Sequence, residues 1–197
     1  MAQFYLIRHG TNDYLAKALL AGRLPNVHLN DEGRAEAERL SATLATLGIQ
    51  RIFSSPLERA FQTAEPTARR LNLQIEIAPE ILEINFGDWT GKAIRDLDRD
   101  PAWKNFNLYR SGTRIPNGET MLEAQTRMVA FLEKLHRENP NQTVALFTHG
   151  DPIKSVFAYY LGIPLDLFTR IEITPGSYSV LRLEPCSPQV LAINRLP

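Results

Sequence analysis

The 197-residue chain has one cysteine, Cys186, so no internal disulfide can form, which suits a reducing compartment. Neither sign of charge is in excess, because 22 Lys and Arg balance 22 Asp and Glu. A formal net charge of zero argues against a polybasic nucleic-acid or membrane-surface binder, while permitting a local basic pocket. No run approaches the ~20 apolar residues that span a bilayer. The short apolar run ahead of Arg8-His9 is too brief for a secretory signal core, so the expected location is the cytoplasm. Internal repeats, low-complexity tracts and linker-like stretches are also missing. What is present, 44% hydrophobic and 22% charged residues, is the balance of a globular chain. The length suits one domain spanning residues 1–197.

Hydrophobic patterning then predicts the elements. Gln3–Ile7 reads as a buried strand, and Asp31–Leu47 as a helix capped by Asn30 and stopped at Gly48. Ile49–Phe53 is a second strand. Ser55-Pro56-Leu57-Glu58 spells a helix start, with Ser55 as cap, Pro56 at the first position and Glu58 completing a capping box; that helix runs to Leu71. Leu73–Ile77 and Thr143–Phe147 are further strands. Thr120–Glu138 is a helix with a Thr120/Glu123 capping box, and another helix starts at Asp151-Pro152 and ends near Leu161. Strands near Ile171–Ile173, Tyr178–Leu183 and Val190–Ile193 close the chain. Alternating strands and helices imply a three-layer α/β/α fold with a mostly parallel central sheet. Residues 84–118 break the alternation and read as a helical insertion.

The informative residues sit at predicted strand ends. Arg8-His9-Gly10 follows the first strand, Arg59 falls in the first turn after the second, and His149-Gly150 follows the fourth. Each has an ordinary reading alone: a surface pair, a solvated helix residue, a hydrogen-bonded loop histidine. Together, two arginines and two histidines at one sheet edge are costly to pack unless an anion compensates. That edge is where open α/β sheets bind ligands, and helix N-termini there favour anions.

Arg8-His9-Gly10 resembles the signature of the histidine phosphatase superfamily, the phosphoglycerate mutase-like group. Ser54 through Ala60 with Thr63-Ala64 resembles its second motif, Glu83 with Gly87 and Gly91 its acid-bearing segment, and Thr148-His149-Gly150 its second histidine. The resemblance implies a phosphoglycerate mutase-like fold and a metal-independent phosphatase without a cofactor. His9 is then the nucleophile that becomes a phosphohistidine, and Arg8 and Arg59 neutralise the phosphate. His149 stabilises the transferring phosphoryl group, and Glu83 is the general acid, later the base for water. Gly10 is expected to clear room where backbone and phosphate approach. Substrate contacts are expected from Arg8, Gly10, Asn12, Gly22, Arg59, Phe86, His149 and Gly150, the partner being a small phosphorylated metabolite. The insertion, with Arg95, Arg99, Arg110 and Arg114, is the expected lid, and Glu119 is a candidate contact to the site unless it serves only the helix cap.

Departures from the pattern sharpen the activity. Mutase relatives typically carry glutamate after His-Gly, arginine after the acid and tyrosine before the glycine; this chain has Thr11, Ile84 and Phe86. Hydrolysis is therefore favoured over phosphoglycerate mutase-type transfer, over a non-catalytic phosphate- or protein-binding module, and over action on phosphohistidine in proteins. Asp96-Leu97-Asp98-Arg99-Asp100 imitates a calcium loop but lacks its glycine and its terminal glutamate, and Gly87–Lys92 is one residue short of a P-loop. Asp100-Pro101 reads as the end of a charged helix, and Cys186 has no base nearby in sequence.

Overall fold

The computed structural model describes residues 1–184 and 187–197, so Cys186 lies outside the described residues. Six strands form one sheet: β1 (Ala2–Arg8), β2 (Arg51–Ser54), β3 (Ile75–Ile77), β4 (Thr143–Thr148), β5 (Tyr178–Leu183) and β6 (Gln189–Arg195). Their order is β3-β2-β4-β1-β5-β6. The first four strands run parallel, and β5 and β6 add an antiparallel edge. Seven helices accompany them: α1 (Asp13–Ala16), α2 (Asp31–Leu44), α3 (Glu58–Leu71), α4 (Ile94–Leu97), α5 (Pro101–Leu108), α6 (Met121–Glu138) and α7 (Gly150–Leu161).

The strands are apolar on both faces because both faces are covered. Side chains alternate along β1. Phe4 and Leu6 pack with Leu146, with Met128 and Leu132 of α6 and with Val156 and Phe157 of α7. Tyr5 and Ile7 pack with Phe147, with Leu40 and Leu44 of α2 and with Ala64 of α3. The result is the mostly parallel α/β/α sandwich expected from the alternation. Residues 84–118 hold only short helical pieces, with Trp89, Trp103 and Phe106 in a separate cluster against Met121, Ala124 and Phe168. The Thr120/Glu123 capping box forms as read, with bonds of 3.1 and 2.8 Å.

Several local readings change, each because a tertiary partner competes. Helix α3 begins at Glu58, with Leu57 at the cap position and no side-chain cap. Ser55 is not the cap, because its hydroxyl meets the His149 ring; the Glu58 carboxylate accepts from Asn26 N instead of closing a capping box. Helix α2 ends at Leu44, and the chain turns before reaching Gly48. Helix α7 starts one residue early, at Gly150, with His149 at its cap position. Asp100 caps α5 rather than ending a preceding charged helix, its Oδ1 accepting from Ala102 N. Residues 171–173 form no strand; the Ile173 carbonyl accepts from the Arg8 guanidinium.

One close approach holds the end of β1. The His9-Gly10-Thr11 segment crosses the first turn of α2, where Thr11 N and Oγ1 donate to Glu36 at 2.7 and 2.9 Å. A Cβ on Gly10 would lie 2.7 Å from the Gly33 carbonyl oxygen, and a Cβ on Gly33 would lie 2.0 Å from the Thr11 oxygen. Both glycines are required by backbone crossing backbone. Gly33→Ala should therefore destabilise the protein by about 1–3 kcal/mol or more. At this size that lowers Tm by roughly 2–4 °C per kcal/mol in thermal melts. Gly112→Ala, with nothing within 4 Å of the added carbon, should stay within about 0.5 kcal/mol.

Candidate active site

Parallel pairing places the strand ends side by side. Arg8 is opposite Thr148 in the β1–β4 register, and His9 N donates to the Thr148 carbonyl at 3.0 Å. Ser55, just past β2, donates its N–H to the Phe147 carbonyl at 2.9 Å. Three chain segments far apart in sequence thus deliver His9, His149 and Ser55 to one edge. The two imidazoles lie 5.2 Å apart between ring centroids, edge to face.

The His9 tautomer follows from its partners. Nδ1 is 2.8 Å from the Gly10 carbonyl, which can only accept, so Nδ1 carries the proton. Nε2 accepts from Arg59 Nε at 3.2 Å, so its lone pair is free of a proton. Burial, then the nearby Arg59 and Arg8 charges, hold the His9 pKa well below the usual histidine value. His9 is therefore a neutral imidazole whose lone pair points toward arginine. Burial likewise pushes the His149 pKa down, helped by Arg59, His9, Arg127 and Arg8.

Arg59 is nearly fully buried. Its Nη2 donates to the Gly22 carbonyl at 2.7 Å, and Gly22 adopts a left-handed φ of 50°. Its Nη1 has no partner; neither have Arg8 Nε, Asn12 Nδ2 and His149 Nδ1, and all four atoms are buried. Asn12 spends its other amide atom capping α1, where Oδ1 accepts from Leu15 N. An unpaired buried donor costs about 1–3 kcal/mol. Three such donors, on Arg59, Arg8 and Asn12, with His149 Nδ1 beside them, form a nest that an anion with several oxygens would satisfy.

Glu83 stands beside this nest, its Oε2 3.8 Å from His149 Nδ1 and its Oε1 accepting from Ile84 N at 2.9 Å. Burial raises its pKa to about 7, with Asp151 adding to the rise; Arg59, the Ile84 N–H and Arg8 oppose it. A carboxyl poised near neutrality can both give and take a proton. The Glu83 carbonyl is held twice, by Arg23 Nε at 2.7 Å and by Arg127 Nη2 at 3.1 Å. Glu119 ties the two guanidinium groups together, its Oε1 accepting from Arg23 at 2.9 Å, from Arg127 at 3.1 Å and from Asn85 N at 2.9 Å.

A cavity of about 250 Å³ opens over these groups. Of the residues singled out in the sequence, Arg8, His9, Asn12, Gly22, Arg59, Glu83, Phe86 and Gly150 line it. Gly10 and His149 lie behind the wall. The reason for Gly10 is the α2 crossing, so the expectation that it makes room beside a phosphate is corrected. Gly150 keeps a close approach of its own, since a Cβ there would lie 3.2 Å from Arg8 Nε. Among the insertion arginines only Arg110 reaches the cavity; Arg114 pairs with Glu123 at the surface. Sequence reasoning assigned no site role to Ser55, Arg127, Asp151 and Lys154. The cue for Asp151 was its place two residues after His149. For Arg127 it was a cation beside the apolar stripe of α6, where Ala124, Met128 and Phe131 are buried. Among the described residues, no group of three or more His, Cys, Asp or Glu is placed to hold a metal. No helix among them is long and apolar enough to cross a membrane.

Comparison with known proteins bears on the family and the fold. Phosphoserine phosphatase 1 of Hydrogenobacter thermophilus is 26% identical over 196 residues, covering 98% of this chain and 92% of that protein. The probable phosphoglycerate mutase GpmB of Escherichia fergusonii is 30% identical over 182 residues, covering 91% and 84% of the two chains. The solved structure of YhfR from Bacillus stearothermophilus has the same fold, with a TM-score of 0.93 at 24% identity, covering 100% of this chain and 98% of that one. The model of the histidine phosphatase superfamily (branch 1) matches residues 4–196, and this chain belongs to that family.

Proposed function

We propose that the protein is a metal-independent phosphomonoesterase that hydrolyses a small phosphorylated metabolite through a phosphohistidine on His9. The observation that carries this reading is the group of unpaired buried donors on Arg59, Arg8 and Asn12 beside the unprotonated Nε2 of His9. Arg8 and Arg59 supply the positive charge that lets a nucleophile approach a phosphate dianion, and arginine forks match its oxygens. In the first step His9 Nε2 bonds to phosphorus, the phosphorus–oxygen ester bond breaks, and Glu83 gives its proton to the leaving alkoxide. In the second, Glu83 takes a proton from water, the water oxygen bonds to phosphorus, and the bond to His9 breaks, releasing phosphate. His149 Nδ1 and Asn12 Nδ2 stabilise the oxygens in flight. The insertion lends Phe86, Ile94, Trp103 and Arg110 to the cavity wall, and acts as the lid that sets specificity. The cytoplasmic location expected from the sequence belongs to the same proposal.

Similarity to a phosphoserine phosphatase supports the small-metabolite class, and similarity to a mutase keeps phosphoryl transfer as a second reading. Hydrolysis is favoured because the positions where mutases carry extra polar groups serve other ends here. Thr11 donates to Glu36 on α2, and Ile84 is wholly buried in the insertion core.

Aryl phosphate hydrolysis in excess chelator should be retained by the native chain and abolished by His9→Ala. Activity that survives the substitution would remove the nucleophile. Labelled phosphate from a radioactive ester should remain on the native chain in a rapid denaturing quench and be missing from the variant.

Glu83→Gln should lower kcat on alkyl phosphates by about 10²–10⁴-fold, and by much less on aryl phosphates, whose leaving groups need little protonation. For the native chain, kcat/KM on alkyl phosphates should fall as pH rises through about 7, where Glu83 ionises. The acid limb, from His9, should lie well below the usual histidine pKa.

The raised Glu83 pKa also has a sign for stability. The contribution is complete below the unfolded carboxyl value of 4.5 and is lost as pH rises through about 7, because the unfolded chain ionises first. Glu83→Gln should therefore melt higher than the native chain at pH 8, with the gap closing by pH 4.5 in a thermal-melt series.

A further inference from the structure

Away from the nest, the cavity holds a second arrangement of charge that the hydrolysis steps leave unused. Arg110 follows α5 and is only 8% exposed, yet it lines the cavity. Its guanidinium Cζ lies over the rings of both Phe106 and Phe168, 4.7 Å from each centroid. Packing against two rings restricts where its N–H groups can point.

The edge of that guanidinium is under-used. Nη2 donates to Asn107 Oδ1. Nε is buried with no partner. Nη1 lies 3.9 Å from Asp151 Oδ2, too far for a hydrogen bond. One turn along α7 from Asp151, Lys154 lines the same cavity with a side chain only 15% exposed, and its sole ion pair is a 3.8 Å contact to the outer carboxylate of Glu172. Of the groups here that line the cavity, two are cations and one is a carboxylate; Glu172, outside the cavity lining and largely exposed, is the counter-charge of Lys154. Burial holds the Arg110 pKa below the usual guanidinium value, with Asp151 opposing. The same cavity is also lined by the apolar side chains of Leu15, Leu19, Leu20, Phe86 and Ile94.

We propose that Arg110, seconded by Lys154, is a carboxylate subsite, so that the ester hydrolysed carries a carboxylate besides its phosphate. This rests on the phosphatase reading above and adds the chemical class of the substrate to it. The under-used edge of Arg110 and the Lys154 ammonium can receive a carboxylate, whereas a second phosphate dianion would meet greater repulsion from Asp151. Asp151 also sits close enough to Glu83 to help raise its pKa, so the carboxylate end and the proton donor share one wall of the cavity.

The test uses matched esters that differ only at the proposed contact: phosphoserine against phosphoethanolamine, and 3-phosphoglycerate against glycerol 3-phosphate. The native chain should prefer the carboxylated member of at least one pair by about tenfold to hundredfold in kcat/KM, the range expected for a charge-assisted contact. Arg110→Met keeps an unbranched side chain between the two rings. It should bring that ratio close to one, chiefly by raising KM for the carboxylated ester, and Arg110→Lys should restore part of it. Lys154→Met, on a different element, should lower the ratio to a smaller extent and guards against misfolding of the Arg110 variant. Equal rates within both pairs for the native chain overturn the subsite while leaving the phosphatase intact. A preference for fructose 1,6-bisphosphate over fructose 6-phosphate that exceeds any carboxylate preference overturns the assignment to a carboxylate. If none of the four matched esters is cleaved the subsite falls, and p-nitrophenyl phosphate hydrolysis then shows whether the phosphatase reading falls with it.

Discussion

Positive charge held out of water without enough acceptors is the constraint on which this structure turns. Arg8 ends β1 and Arg59 lies in the first turn of α3, both beside two buried imidazoles, and among the described residues no carboxylate makes a hydrogen bond to either guanidinium. Burial, with their field added, holds the His9 and His149 pKa values well below the usual histidine value. A neutral His9 retains the lone pair on Nε2, and the arginines retain unsatisfied donors. The same unfavourable packing that lowers the histidine pKa values therefore prepares both a nucleophile and a receptor for an anion. Such sites are destabilising in isolation, and the large apolar cores on both sheet faces offset them.

Glu83 experiences the opposite contest. Burial and Asp151 push its proton on, while Arg59 and Arg8 pull it off, and the balance falls near neutrality. Position matters as much as charge. The main-chain carbonyl of Glu83 is gripped by Arg23 and Arg127, whose guanidinium groups are joined through Glu119. Arg23 follows directly on Gly22, whose carbonyl receives Arg59. One dipeptide thus connects the phosphate-side arginine to the acid-bearing segment, through the Arg59 side chain on the Gly22 carbonyl and the Arg23 side chain on the Glu83 carbonyl.

Residues 84–118 supply part of the cavity wall beside the sheet edge. Their backbone is stitched to the loop after α1, with Gly91 N donating to the Leu20 carbonyl and Leu20 N to the Lys92 carbonyl. Their aromatic cluster leans on α6 and on residues 165–170. Arg110 is held by that cluster through its faces, so its charge is positioned by packing that carries no charge itself.

Much of this was readable from residue order. Strand–helix alternation, the capping box at Thr120 and the run of His9, Arg59 and His149 at strand ends all depend on local periodicity or on neighbours in sequence. The misreadings share one cause. Ser55 and Glu58 have the pattern of a capping box, yet His149 and Asn26, distant in sequence, compete for the same atoms. Gly10 was linked to the anion, but the backbone it must clear belongs to Gly33. The amino-acid sequence by itself determined the layers, the sheet edge and the reactive residue types, because hydrophobic period and turn chemistry act over a few residues. Only the tertiary structure decided which nitrogen of His9 is free, how Glu83 comes to hold a proton near neutrality, and that Arg110 alone of the insertion arginines reaches the cavity. Those depend on burial and on distances between segments that meet only when the sheet closes its parallel pairs.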